Sequence, residues 1–317
     1  MTTTNAKKVA VNFDYESIWG MPWHDAYDLE AATRQILAVL EKHGVEATFF
    51  VVGKLVETHP QLIQMIAQAG HRIGIHGYKH EKLNEYSAEE LAAFEKQLTT
   101  IEQKVSHLTG RRPTAFRSPY LMGPDFYSPE LYDILSRHHY HYVSNREIRY
   151  QQELFHPQRL RFGRWLDKDT AFTRLLTVLL NLRLVLSEST SERNGLHRLV
   201  DNLHWLLNGC TPFVRNDLLE VPVYSPLDCD LLGLPRPGQP SPRPLIDYAI
   251  KALVGGLTKR GDYYSLNFHD WIIGTANRLE VLDQVLEQLA DKPNVQIVSD
   301  FEGTAEVLDG QPVGVLA

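Results

Sequence analysis

Short, continuously apolar runs alternate with helix-periodic segments along most of this 317-residue chain. That rhythm restricts the fold more than any other feature. Val9–Phe13, Val45–Val52, Arg72–Ile75, Thr114–Phe116, Tyr140–Val143, Leu219–Tyr224, Tyr263–Phe268 and Val295–Val298 read as strands. Strands apolar on both faces belong to a parallel sheet covered by helices. The intervening helices carry start and stop signals. Asp28 to His43 ends at Gly44, and Lys54–Ala69 ends at Gly70. Ser87 and Glu90 form a capping box for a helix reaching about Leu108. Further helices begin at Ser128-Pro129-Glu130 and cover Ile246–Leu257 and Leu279–Leu289. About seven or eight β/α units result. No Gly-x-Gly-x-x-Gly follows the first strand, so a closed or nearly closed barrel is expected over an open doubly wound sheet.

Residues 146–215 break the rhythm and read as an insert flanking or covering one end of a single barrel domain spanning 1–317. Phe172–Leu186 is apolar almost all round but shorter than the roughly 17–25 residues a membrane span needs. Arg146, Arg149, Arg159, Arg161, Arg164 and Lys168 lie upstream. A helix packed on the barrel or on a dimer partner is the preferred reading, with contact to an anionic membrane surface as the alternative. The proline-dense stretch at 235–244 reads as an ordered loop or lid. With 32 Lys and Arg against 39 Asp and Glu, the formal charge is -7, which argues against general nucleic-acid binding. Two cysteines, Cys210 and Cys229, lack the spacing of a disulfide framework. No apolar signal segment precedes the first strand, and a soluble cytoplasmic protein is expected.

Chemistry gathers where the strands stop, which in an α/β barrel is the active-site rim. Asp14 and Glu16 follow the first strand, and His76 and His80 the third. Arg117 follows the strand at 114–116, and His269 the strand at 263–268. A helical turn at 76–80 would direct both imidazoles to one face, where they could share a divalent metal. Trp19, Trp23 and Tyr27, with His24 and Asp25, form an aromatic loop suited to stacking on a sugar ring or to plain packing. His138, His139 and His141 read as surface or structural.

The stretches Asn12-Phe13-Asp14-Tyr15-Glu16, His76-Gly77-Tyr78-Lys79-His80, Phe116-Arg117-Ser118-Pro119-Tyr120 and Leu266-Asn267-Phe268-His269-Asp270-Trp271 resemble, in order, the motifs of the polysaccharide deacetylase (NodB-homology) family, carbohydrate esterase family 4. The resemblance covers roughly 8–145 and 215–300. It implies a distorted (β/α)7-8 barrel that removes N-acyl groups, usually acetyl, from amino sugars. It assigns Asp14 as general base, Glu16, His76 and His80 as metal ligands, and Arg117 as the holder of Asp14. The Tyr120 backbone N–H would help hold the oxyanion, and His269 would protonate the amine. Two departures stand out. The commonest version has two adjacent aspartates followed by Gly-Pro, whereas here the ligand comes two residues after Asp14 and is the longer Glu16; and Asn145 stands near where many relatives carry an aspartate that tunes the acid histidine.

The implied cofactor is one divalent ion, zinc foremost, with cobalt, nickel, manganese and iron also suited to the ligand types. Amide hydrolysis needs an activated water, a stabilised oxyanion and a proton for nitrogen, which this set of groups can supply. The expected substrate is a small or lipid-linked N-acylated amino sugar or sugar conjugate carrying acetyl or formyl. The rivals are the same chemistry on a non-sugar N-acyl amine, ureide or natural-product intermediate, and a catalytically inactive binding barrel.

Overall fold

The computed structural model describes residues 6–17, 27–120, 128–145, 147–148, 212–224, 226–236, 238–258 and 263–299. The apolar segment 172–186, its upstream basic residues, Trp19, Trp23, His24, Asp25 and Cys210 lie outside them. Eleven strands are β1 (Lys7–Tyr15), β2 (Thr48–Val51), β3 (Arg72–Ile75), β4 (Ala115–Phe116), β5 (Tyr142–Val143), β6 (Glu147–Ile148), β7 (Phe213–Arg215), β8 (Leu218–Glu220), β9 (Val223–Tyr224), β10 (Tyr263–His269) and β11 (Val295–Val298). The main sheet runs β10-β1-β2-β3-β4-β5-β8-β7, with β11 also pairing to β1. Every pairing along it is parallel except β7 with β8. β6 and β9 form a separate parallel pair, and the Tyr224 ring of β9 lies 5.4 Å from Tyr264 of β10. That contact carries the curl of the sheet from the β8 side back towards β10, as a distorted barrel requires.

Nine helices are described: α1 (Leu29–Lys42), α2 (Gly53–Thr58), α3 (Pro60–Gln68), α4 (Ala88–Thr109), α5 (Pro129–Arg137), α6 (Asp228–Leu232), α7 (Arg243–Gly255), α8 (Asp270–Ile273) and α9 (Leu279–Ala290). Their ends follow local chemistry. Asp28 caps α1 by accepting from the Ala31 N–H at 2.9 Å, and α4 begins with the Ser87–Glu90 box and ends at Gly110, φ +71°. The helix expected over Lys54–Ala69 is two helices. Pro60 has no N–H to continue α2 but suits the first position of α3, and His59 before it is turned out of helical geometry. The strand expected over Leu219–Tyr224 is likewise divided, with Pro222 falling between β8 and β9.

Strand alternation sorts side chains into an outer and an inner layer. Phe13 of β1 is in register with Phe49 and Phe268, and the three rings stack under the helices at centroid distances of 4.7 and 5.6 Å. All three are fully buried, and truncating one to alanine would cost about 3–5 kcal/mol. The alternate residues point into the barrel. Ala10, Phe50, Ala115, Tyr142, Leu219 and Tyr263 fill its interior as a small apolar plug. Asn12 and Asp14 share this inward phase, in register with Asn267 and His269. Gly74 sits beside Phe50 because a Cβ there would stand 2.7 Å from the ring. The polar groups therefore stand above an apolar floor.

Candidate functional site

Asp14 is buried near the end of β1 and is held by two donors. Arg117 donates to Oδ1 at 2.7 Å and the Asn267 carboxamide to Oδ2 at 3.0 Å. Arg117 is itself fully buried. Its guanidinium also bonds the Asn267 carbonyl oxygen and Ser144 Oγ (3.0 Å), and it lies 4.0 Å above the Phe50 ring. Ser144 passes the link on to the Val221 carbonyl at 2.8 Å. Burial would raise the Asp14 pKa, but Arg117, with His76 and His269, outweighs it and holds the carboxyl below its usual value.

Glu16, His76 and His80 converge. Glu16 Oε2 lies 2.7 Å from His80 Nε2 and 3.4 Å from His76 Nε2, and the two imidazole centroids are 5.2 Å apart. The segment 76–80 does not turn helically. The segment is a tight loop with Gly77 at φ +67° and His80 at φ +58°. Glu81 ties it down by accepting from the N–H groups of Tyr78 (3.0 Å) and Lys79 (2.5 Å). The carbonyls of Gly77 and Tyr78 accept from the first N–H groups of α2 at 3.0 and 2.9 Å. The loop thus achieves with two left-handed residues what a helix would do by its pitch.

The additional methylene of Glu16 is accommodated by the segment after β10. The Trp271 indole donates to Glu16 Oε1 at 2.8 Å and leaves Oε2 facing the imidazoles. Asp270 accepts from the backbone N–H of Glu16 (2.8 Å) and of Ser17 (3.1 Å), and from the Tyr27 hydroxyl (2.9 Å). Burial, reinforced by the Glu16 charge, pushes the Asp270 carboxyl up to about 7. Burial would also raise Glu16, but the imidazoles of His80 and His76 reverse this and hold it well below its usual value. His80, which burial alone would lower, is raised by Glu16.

These residues fit a cation. Glu16 Oε2 is buried and receives no well-directed hydrogen bond despite its closeness to two ring nitrogens. His76 Nδ1 stands 2.9 Å from the Arg117 carbonyl, which can only accept, so Nδ1 carries a proton and Nε2 is the ring atom turned to Glu16 and free to ligate. Two imidazoles and one carboxylate, each offering an atom within 4.8 Å of the others, form a tridentate set of the kind that suits Zn²⁺ with open positions.

His269, the last residue of β10, faces this group from the other side, with Nε2 3.7 Å from Asp14 Oδ2. Its partner, left open by the sequence, is a carboxylate from another element and not Asn145. Asp228, the first residue of α6, accepts from His269 Nδ1 at 2.6 Å and from the His269 backbone N–H at 2.8 Å. Burial would lower the His269 pKa, but the Asp228 carboxylate, helped by Glu16 and Asp14, raises it to about 10. Arg278 holds the far end of α6 through the carbonyls of Gly233 (2.8 Å) and Leu232 (3.1 Å). Asn145 is used elsewhere. Its carbonyl oxygen accepts from the Ser118 N–H at 2.8 Å, and its own N–H bonds the buried Glu220 at 2.8 Å. Glu220 also takes the Tyr132 hydroxyl. This chain of bonds fixes the 117–120 loop, where Tyr120 adopts φ +67° and sets its exposed ring 4.5 Å from that of His80, tilted by 52°.

Asp228, Asn267, Ser144 and Trp271 were not singled out from sequence. The signal for Asn267 was present, since period-two alternation puts it on the face that carries His269. Asp228 offered none, because it follows Pro226 and Leu227 at no strand end.

Residues 2–143 match the family model for polysaccharide deacetylase. A peptidoglycan-N-acetylglucosamine deacetylase of Bacillus cereus is 35% identical over 116 residues, 37% of this chain and 37% of that protein. A peptidoglycan-N-acetylmuramic acid deacetylase of Bacillus subtilis is 34% identical over 87 residues, 27% and 32% of the two chains. The chain thus spans about a third of the length of these curated relatives. A crystal structure assigned to polysaccharide deacetylases, from Mycobacterium smegmatis, superposes with a TM-score of 0.61 at 17% identity, over 100% of this chain and 96% of that one. It shows the same fold. Among the described residues no helix is long and apolar enough to cross a membrane.

Proposed function

From the match of residues 2–143 to the polysaccharide deacetylase family, we propose that this chain is a member of it and a metal-dependent hydrolase removing an N-acetyl group from an amino sugar. The observation that carries the reading is the convergence of Glu16, His76 and His80 beside the Asp14–His269 pair. Bound by Glu16, His76 and His80, a divalent ion would supply the acidity that brings a water's pKa from about 15.7 towards about 7 and would polarise the acyl carbonyl.

The remaining work falls to the chain's own groups. Asp14, kept ionised by Arg117, accepts the proton of the attacking water. The Tyr120 backbone N–H, set by the left-handed turn of its loop, helps stabilise the oxyanion as the carbonyl carbon becomes tetrahedral. His269, held protonated by Asp228, gives its Nε2 proton to the amine nitrogen as the C–N bond breaks. Acetate and a free amino sugar leave. The groups that would act as base and acid stand side by side, His269 Nε2 lying 3.7 Å from Asp14 Oδ2.

The peptidoglycan amino-sugar substrates named for the Bacillus relatives support a glycan bearing N-acetylglucosamine or N-acetylmuramic acid as the first compounds to assay. The test is metal analysis of the purified protein combined with acetate release from N-acetylated oligosaccharides. Bound metal lost in a His76→Ala, His80→Ala double variant, together with metal-dependent acetate release, is expected. A chain that takes up no metal and releases no acetate would overturn the proposal.

A further inference from the structure

We propose that Asp228, Cys229 and His269 form a second site, for a soft divalent cation such as Zn²⁺ or Cd²⁺, whose occupation inhibits the enzyme. The Cys229 thiol has no part in the hydrolysis described above, yet it belongs to a compact ligand set. One donor atom from each of the three residues lies within 4.8 Å of the other two. The imidazole nitrogen turned to Asp228 is Nδ1, at 2.6 Å from Oδ1. It is thus the ring atom opposite the one that faces Asp14.

Carboxylate, imidazole and thiolate together are a set that zinc and cadmium favour over magnesium or calcium. A tetrahedral ion with Zn–N near 2.1 Å and Zn–S near 2.3 Å spaces its ligand atoms about 3.3–3.8 Å apart. Reaching that spacing needs the Asp228–His269 pair, now 2.6 Å apart, to open by about 0.7 Å and the sulfur, within 4.8 Å of both, to close by at most about 1 Å, within the reach of side-chain rotation. Asp228 is buried, whereas Cys229 and His269 are partly exposed, so an ion has a way in. The Asp228 carboxylate is also held in place without the imidazole, because the backbone N–H groups of Cys229 and His269 donate to its two oxygens at 2.8 Å each.

Binding replaces the Nδ1 proton and the thiol proton with the cation, and both protons pass to solvent. The proton remaining on Nε2 then belongs to an imidazole whose other nitrogen is bonded to metal. That ring has lost the Asp228 hydrogen bond and can no longer cycle as a proton donor. The inhibitory part of the proposal rests on His269 acting as the acid in the proposed reaction; the binding part does not.

The two sites differ in one readable way, since Glu16, His76 and His80 include no sulfur. The experiment adds Cd²⁺ to the full chain already loaded with one equivalent of Zn²⁺ and follows thiolate-to-metal absorption in the ultraviolet. The band is expected in the wild type and in Cys210→Ser, and is expected to vanish in Cys229→Ser. In parallel, excess Zn²⁺ should inhibit deacetylation, and the half-inhibiting concentration should rise by about tenfold or more in Cys229→Ser, each variant normalised to its own metal-sufficient rate. Absence of the band in wild type, or its survival in Cys229→Ser, would overturn the site. A band without inhibition would overturn its inhibitory role. A failure of the deacetylase reading itself would show separately, as no acetate release at any metal concentration.

Discussion

Replacing Trp271 by phenylalanine isolates one hydrogen bond to one metal ligand. The indole N–H donates to Glu16 Oε1 at 2.8 Å, and the side chain is buried with only 7% of its surface exposed. Phenylalanine keeps an aromatic ring beside His269, whose centroid lies 6.2 Å from that of the indole. It removes the donor and leaves a small void. The void weakens the folded chain with or without metal, and so appears in the melting temperature and cancels from the metal affinity. The lost bond behaves differently. A hydrogen bond to a charged group is worth about 1.5–3 kcal/mol. Its loss frees Glu16 to rotate Oε2 away from the imidazoles, an ordering cost that then falls on metal binding. At about 1.4 kcal/mol per decade this corresponds to a 10- to 150-fold weaker metal Kd, which matches the roughly 10–100-fold typical of groups that orient a ligand. Competition of the apo protein against a chromophoric chelator measures it directly. A Trp271→Phe Kd within about twofold of wild type would refute the reasoning, because Glu16 would then be held by its backbone alone.

Asp14→Asn is expected to abolish acetate release while metal content stays at the wild-type level, as read by metal analysis on the same sample; loss of metal would instead make Asp14 a ligand. Asp228→Asn removes the charge that lifts His269 to about 10. The acid form is populated below its pKa, so activity that falls as pH rises through the wild-type alkaline limb should fall at lower pH in the variant, with burial left to depress the ring; an unmoved limb in kcat/KM would sink the pairing. Gly77→Ala places a Cβ 2.9 Å from Pro119 in a backbone at φ +67°. It should cost about 1–3 kcal/mol of stability by thermal melting and weaken metal binding with it, because the same strain displaces His76 and His80.

The parts of this molecule visible in the sequence are those where one residue's neighbours determine its role. Asp14, Arg117 and His269 each close an apolar run, and a parallel strand delivers its last residues to a common rim whatever the helices do. The Ser87–Glu90 box is local in the same sense. His76 and His80 could be paired by spacing, but the conformation that pairs them could not. It depends on Glu81 and on backbone groups of α2 that are distant until the chain folds. Asp228 is the extreme case. Its ring partner is 41 residues away, and its own position is set by a helix of one turn that Arg278 anchors from a third element. Asn145 drew attention because it stands near where many relatives of the resembled family carry an aspartate; it acts near the rim, but on a backbone amide.

Arg117 ends the chain of consequences. Among the described residues its buried guanidinium has a single carboxylate as counter-ion, and in the proposed reaction that carboxylate is the one that takes a proton. For as long as Asp14 is protonated, the cation is left inside the barrel with only the neutral oxygens of Asn267 and Ser144, and a buried charge stripped of its mate costs about 3–5 kcal/mol. That imbalance disappears only when the proton departs. The residue that readies the base therefore also makes its protonated state short-lived, and restoration of the resting enzyme is driven from beneath the site, independently of product.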